Sequence, residues 1–91
     1  MKTHDLKTDP HPFSLMWNGT KQYEIRLDDR GYEVGDRIIS RETVGPARML
    51  GLRMEFTGRY ITAVITHSLG GYGVQPGWVI LSVSDIQRWS E

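Results

Sequence analysis

The sequence predicts a single small α+β domain whose sheet curls towards a barrel. Its 91 residues suit one domain and leave no room for a second. One helical pattern is followed by about five short strand patterns, without the strand–helix–strand alternation that builds parallel sheets. Eleven Lys and Arg balance eleven Asp and Glu, and cysteine is absent. The chain therefore lacks disulfides and the net positive charge expected of a general duplex-DNA binder.

The first predicted element is a short helix between Asp9 and Gly19. Asp9 suits the N-cap, Pro10 suits the first helical position, and Gly19 can adopt the left-handed conformation that ends a helix. Three of its apolar residues, Phe13, Met16 and Trp17, share one helix face. We expect this face to close one end of the core.

Two strands are predicted next. The segment from Lys21 to Leu27 alternates apolar and polar residues, as a half-buried strand does, and the alternation favours a core position for Tyr23. A turn at 28–31 ends this strand. A second turn, Val34-Gly35-Asp36, leads into a strand from Arg37 to Glu42.

The second half of the chain predicts a β-rich region. Thr43 to Gly51, with its glycines and proline, has the composition of a surface connection. The remaining predicted elements are a hairpin of Arg53–Phe56 and Arg59–His67 around Thr57-Gly58, a loop from Gly70 to Gly77, a buried strand from Trp78 to Val83, and a last helical turn from Ser84 through Trp89.

The densest polar group lies where the helix meets the next strand. Glu24 and Arg26 are two residues apart and so share a strand face. Lys21 precedes Glu24 by three residues, and the two converge only if Lys21 lies in the turn before the strand. Spacing alone equally fits a solvated face with weak surface ion pairs.

The pattern Gly19-x-Lys21-x-x-Glu24-x-Arg26 resembles the ASCH domain, a relative of the PUA-like barrels of RNA-modifying and RNA-binding proteins. Other segments are similar to a compact ASCH-like family of phage and bacterial proteins without assigned function. They are His4-x-Leu6-Lys7, Asp28-Asp29-Arg30, Tyr32-x-Val34-Gly35-Asp36, Tyr60-Ile61 and Gly71-Tyr72-Gly73-x-x-Pro76-Gly77. The resemblance runs from His4 to about Val83 and implies a PUA-like β-barrel of about five to six strands with one or two short helices.

The resemblance also implies a cleft, lined by Lys21, Glu24 and Arg26, that binds RNA or a nucleotide-like small molecule. The two cations suit phosphate or base acceptors, and the carboxylate suits a base amino group. Tyr72 is the expected stacking residue, because it stands in a glycine loop. The neighbouring glycines, Gly71 and Gly73, permit close approach of the backbone to a ligand. His4 is either a further site residue or a hydrogen-bonded residue of a first strand.

Two other functions stay open. Some ASCH-like proteins are amide hydrolases of acylated cytidines, in which a Thr nucleophile follows the Lys by three residues and a distant Glu is the base. Glu24 occupies that Thr position here, and a carboxylate cannot replace an activated hydroxyl. A hydrolase would instead need Lys21 and Glu24 as an acid–base pair around a water. The third hypothesis is a small protein-interaction adaptor that uses exposed aromatic residues.

No cofactor or metal is expected. His4, Asp5, Asp9 and His11 crowd the N-terminus, but their spacing matches no zinc pattern. The sequence has no long apolar run, and its first residues do not form a signal peptide. We therefore expect a cytoplasmic protein without membrane association, and a monomer by default.

Overall fold

The computed structural model describes residues 1–45 and 55–91. Strands account for 55% of these residues, and the described helix has eight residues. The elements in chain order are β1 (Thr3–Thr8), α1 (Pro10–Trp17), β2 (Tyr23–Leu27), β3 (Arg37–Thr43), β4 (Phe56–Leu69) and β5 (Trp78–Ser90). The predicted α+β class is therefore wrong, because one two-turn helix does not form a layer of its own. The fold is mostly β.

The five strands form one sheet in the order β1-β3-β4-β5-β2. β1 pairs in parallel with β3, and every other neighbouring pair is antiparallel. The sheet curls into a half-barrel, which brings its two edge strands, β1 and β2, towards each other. Side chains bridge this seam: Arg26 of β2 donates hydrogen bonds to the Lys7 carbonyl oxygen and to Thr8 Oγ1 of β1, both at 3.0 Å.

The core lies inside the curl. β4 contributes Ile61, Ala63 and Ile65, as their alternation predicts, and α1 contributes Phe13 and Met16. The predicted helix is confirmed, with Pro10 in its first turn and Gly19 in the left-handed region at φ +83°. The other buried apolar residues are Leu6, Tyr32, Ile38, Val79, Leu81 and Val83.

β2 is a strand, as predicted, but its buried face is the opposite one. Tyr23, Ile25 and Leu27 are exposed, whereas Glu24 is buried and Arg26 half-buried. The expectation that Tyr23 is a core residue is therefore wrong. Because the period of a strand is two, alternation gives the two faces but does not say which one is inside.

Two predicted breaks in the β-rich half do not occur. Thr57 and Gly58 lie inside β4 instead of forming a hairpin turn, and the Glu91 N–H pairs with the Gly58 carbonyl oxygen beyond the end of β5. The segment from Ser84 to Trp89 continues β5 instead of forming a helical turn. A register shift between Thr62 and Val64, with Asp85 at φ +53° in β5, shows that a β-bulge absorbs the irregular sequence.

Residues 46–54 lie outside the described part of the chain. They include most of the surface connection predicted from Thr43 to Gly51, and the first residues of the first hairpin strand, predicted from Arg53 to Phe56. β1 precedes the helix, so four described strands follow α1 where about five were predicted. Among the described residues, no helix has the length and apolar character needed to cross a membrane.

Candidate functional site

A cleft lined by both charged and apolar residues opens at the seam, between the end of β1, the first turns of α1 and the start of β2. Its volume is about 550 Å³, within the range of small-molecule sites. Lys21, Glu24 and Arg26 all line it. The other lining residues are Lys7, Thr8, Asp9, His11, Pro12, Leu15, Tyr23, Ile25 and Trp78. The structure thus brings the three charged residues of the sequence motif to one concave surface.

Glu24 is the most buried charged group of the cleft, with 2% of its surface exposed. It stands opposite Leu81 of β5, on the inner face of the sheet. Its Oε2 atom accepts a hydrogen bond from Arg26 Nε at 2.9 Å. Its Oε1 atom is also buried, and no described residue donates a hydrogen bond to it. A buried oxygen without a donor is costly, so it marks a place where a ligand or an ordered water belongs.

Glu42 provides an internal comparison, because it is also a buried glutamate paired with an arginine. Arg59 donates to both of its oxygens at 2.9 Å, and Thr57 Oγ1 donates to Oε1 at 2.7 Å. Burial acts to raise the pKa of Glu42, but these hydrogen bonds outweigh it and hold the pKa below its ordinary value. The fold can therefore satisfy a buried carboxylate fully, which it does not do at Glu24.

Lys21 lies in the irregular segment before β2, which is the placement that convergence with Glu24 requires. Its backbone N–H donates to the Leu15 carbonyl oxygen at 3.0 Å, which ties it to α1. Its Nζ atom lies 5.1 Å from the centroid of the Tyr23 ring. Burial lowers the pKa of Lys21 below 10.5, the Glu24 charge opposes this shift, and the Arg26 charge adds to it. Lys21 is thus a desolvated cation beside an incompletely paired carboxylate.

Arg26 is engaged within the protein through all three of its guanidinium nitrogens. Nε donates to Glu24, Nη1 to the Lys7 carbonyl oxygen and Nη2 to Thr8 Oγ1. This side chain therefore orients Glu24 and bridges the seam. Its contribution to the cleft is the position of Glu24 more than a free donor for a ligand.

The predicted loop residues lie beside the cleft. Tyr72 and Gly73 line a neighbouring hollow of about 520 Å³, which shares Ile25 and Trp78 with the cleft. Tyr72 is 95% exposed and Gly71 is in the same turn, at φ +72°. The structure thus separates the predicted stacking residue from the three charged residues.

His4 is placed in the core of the half-barrel. Its Nε2 atom lies 2.9 Å from Asp36 Oδ2, and its ring packs against Tyr32 with centroids 4.6 Å apart. The backbone N–H groups of Lys2 and Glu33 also donate to Asp36. His4 therefore supports the start of β1 and is not among the residues that line the cleft.

Several cleft residues have no signal in the sequence that would reveal them. Thr8, Leu15 and Trp78 come from three different elements and meet only because the sheet curls. His11 attracts notice in the sequence only as a possible metal ligand. Within residues 1–45 and 55–91, no group of three or more His, Asp or Glu is placed to hold a metal ion.

Fold and site together define a small, mostly β domain with a cleft, lined in part by Lys21, Glu24 and Arg26, at the seam of a curled sheet. Comparison with known proteins gives the family: the chain belongs to the family described as "Domain of unknown function (DUF3850)", which matches residues 3–83. A relative in Escherichia phage P2, described as "Uncharacterized 12.9 kDa protein in GpA 3'region", is 38% identical over 65 residues. That match covers 71% of this chain and 52% of the phage protein, so the chain spans about half the length of this curated relative.

Proposed function

We propose that the cleft binds a nucleotide or a short single-stranded RNA. The observation that carries this proposal is the buried Oε1 atom of Glu24, which has no hydrogen-bond donor among the described residues. A donor group on a bound ligand would satisfy this oxygen. The exocyclic amino group or ring N–H of a nucleobase is such a donor.

The surrounding residues support the same class of ligand. Lys21 supplies a cation that suits a phosphate oxygen or a base acceptor next to the amino group. Tyr23 and Trp78 give the cleft aromatic walls on which a base can stack. Arg26 acts in this proposal as the residue that orients Glu24. A relationship to ASCH domains is part of the same proposal, and the cleft that Lys21, Glu24 and Arg26 line together supports it. A cytoplasmic location is proposed with it.

Titration calorimetry with nucleosides, nucleotides and short RNAs tests the proposal. We expect saturable binding that Glu24→Gln and Lys21→Met weaken by tenfold or more, since each removes a charge-assisted hydrogen bond. Glu42→Gln and Lys2→Met are the matched controls, because Glu42 is a buried glutamate and Lys2 an exposed lysine, both outside the cleft. Equal loss in the controls, or no binding by the unaltered protein, would refute the proposal.

Amide hydrolysis of an acylated cytidine-type nucleoside is the second candidate function. Burial of both Lys21 and Glu24, with the lowered pKa of Lys21, supplies the condition that a lysine–carboxylate pair needs to activate water. Incubation with N-acylated cytidine, followed by chromatography, should then release free cytidine and the carboxylic acid. Lys21→Ala and Glu24→Gln should abolish release. Binding without any product would leave the protein a binding module.

A further inference from the structure

A continuous apolar surface lies on the outside of the sheet, and we call it the outer face. It combines side chains from β2, β5, the end of β4 and the loop between β4 and β5. Ile25 stands directly opposite Ile80, and Leu27 opposite Trp78, so these residues share one side of the sheet. Its members are Tyr23, Ile25, Leu27, Leu69, Tyr72, Val74, Trp78 and Ile80.

The outer face exposes more apolar surface than scattered surface residues usually do. Ile25 is 50% exposed and Leu27 is 51% exposed, and all eight members are at least partly accessible. From typical side-chain areas, the face offers roughly 600 Å² of accessible apolar surface. A patch of this size on a small protein usually marks an interaction site.

Tyr72, in the loop between β4 and β5, has a strained backbone conformation and an exposed ring. Tyr72 adopts φ +52°, in the left-handed region that suits glycine. It stands between two glycines, Gly71 and Gly73. A tyrosine in this conformation is strained, whereas a glycine is not. The ring is 95% exposed and lines the 520 Å³ hollow together with Ile25, Trp78 and Ile80. The loop thus presents an exposed aromatic ring, the knob, beside an apolar hollow.

We propose that two copies of this chain dimerise through the outer face, with Tyr72 of each copy inserted in the hollow of the other. A two-fold interface places a surface against itself, so knob and hollow must lie on the same patch, as they do here. None of the eight residues carries a charge, so the patch meets its own copy without like-charge repulsion. Two such patches bury roughly 1,200 Å², the lower limit for a stable interface.

Charged residues border the outer face: Asp29 and Arg30 line an adjoining hollow with Ile25, Leu27 and Trp78. Glu24 faces the interior, whereas the outer face is on the other side of the same strand. Tyr23, Ile25 and Trp78 also line the cleft, so dimerisation and ligand binding compete for these side chains, and sedimentation without ligand tests dimerisation alone.

Sedimentation equilibrium of the full chain tests the proposal. We expect twice the chain mass at micromolar concentration, and a dimer dissociation constant that Tyr72→Ala and Ile25→Lys each raise roughly 30-fold or more, as for central interface residues. Val34→Lys is the matched control, because Val34 is 65% exposed but lies in the turn before β3. Circular dichroism verifies that each variant is folded.

Hydrogen exchange at two protein concentrations gives an independent readout. The amides of β2 and of residues 70–77 should exchange more slowly at the higher concentration, and those of β1 should not change. A monomer up to hundreds of micromolar, a dimer that survives Ile25→Lys, or a monomer that binds a different protein through this face would each overturn the proposal. Failure of nucleotide binding would not affect it.

Discussion

The bond between Arg26 and Glu24 gives a quantitative prediction, because it fixes the cleft and bridges the seam at once. Arg26→Met leaves the Glu24 carboxylate buried without its cation and removes the hydrogen bonds to Lys7 and Thr8. Removal of one partner of a buried ion pair costs about 3–5 kcal/mol. The Arg26 side chain is 21% exposed, so we expect about 3 kcal/mol, at the lower end of that range.

A double-mutant cycle separates the ion pair from the seam. In a Glu24→Gln background no charge is stranded, and Arg26→Met should cost only about 1 kcal/mol from the bonds to β1. Urea unfolding followed by fluorescence of the three tryptophans measures each free energy of unfolding. In thermal unfolding, the single Arg26→Met variant should melt roughly 12–24 °C lower. A cost below 1 kcal/mol, or the same cost in both backgrounds, would show that Arg26 does not hold a buried charge.

Three further predictions concern the rest of the fold. Hydrogen bonds from the Lys2 N–H, from His4 and from the Glu33 N–H lower the pKa of Asp36 from 3.8 to about 2. Between these two pKa values the unfolded state binds more protons than the folded state, so the free energy of unfolding should fall as the pH drops from about 4 to about 2. Urea midpoints from pH 5 to 2 should show this loss in the unaltered protein and less of it in Asp36→Asn; parallel curves would contradict the assignment. Gly35 is at φ +94°, in the left-handed region, so Gly35→Ala should lower the free energy of unfolding by about 1–2 kcal/mol in the same urea assay. Gly70 is outside that region, and a Cβ atom added there would lie 3.8 Å from the Trp78 carbonyl oxygen, so Gly70→Ala should be close to neutral. Equal costs would disprove the role of φ. Phe13→Ala should destabilise by about 3–5 kcal/mol in urea, since Phe13 is fully buried, and a cost under 1 kcal/mol would show that α1 does not close the core.

Capping residues and hydrophobic periodicity correctly predicted the elements that depend on neighbouring residues in the sequence. The helix followed from Asp9, Pro10 and Gly19, and the buried alternation of β4 followed from period two. The failures lie where pairing across the sheet overrides local preference. Ser84 suits the N-cap of a helical turn, yet β4 pairs with this segment through a bulge and keeps it extended.

The candidate site was predictable only in part. The spacing of Glu24 and Arg26 put both on one strand face, and this much holds in the structure. The partners of Arg26 were not predictable, since Lys7 and Thr8 lie on β1 and approach β2 only when the sheet curls. The unpaired Glu24 Oε1 atom is likewise a product of tertiary structure, because a sequence does not show which oxygen finds a donor.

One local choice of register in β2 links the cleft to the outer face. A strand that turns Glu24 inward must turn Tyr23, Ile25 and Leu27 outward, because successive side chains point to opposite faces. Hydrophobic burial alone favours the opposite register, so the observed one must be stabilised elsewhere. Arg26 provides part of that stabilisation by pairing with Glu24 and bonding to β1. If two copies cover the outer face, the dimer supplies the rest, and the exposed apolar strand and the buried carboxylate have a single explanation.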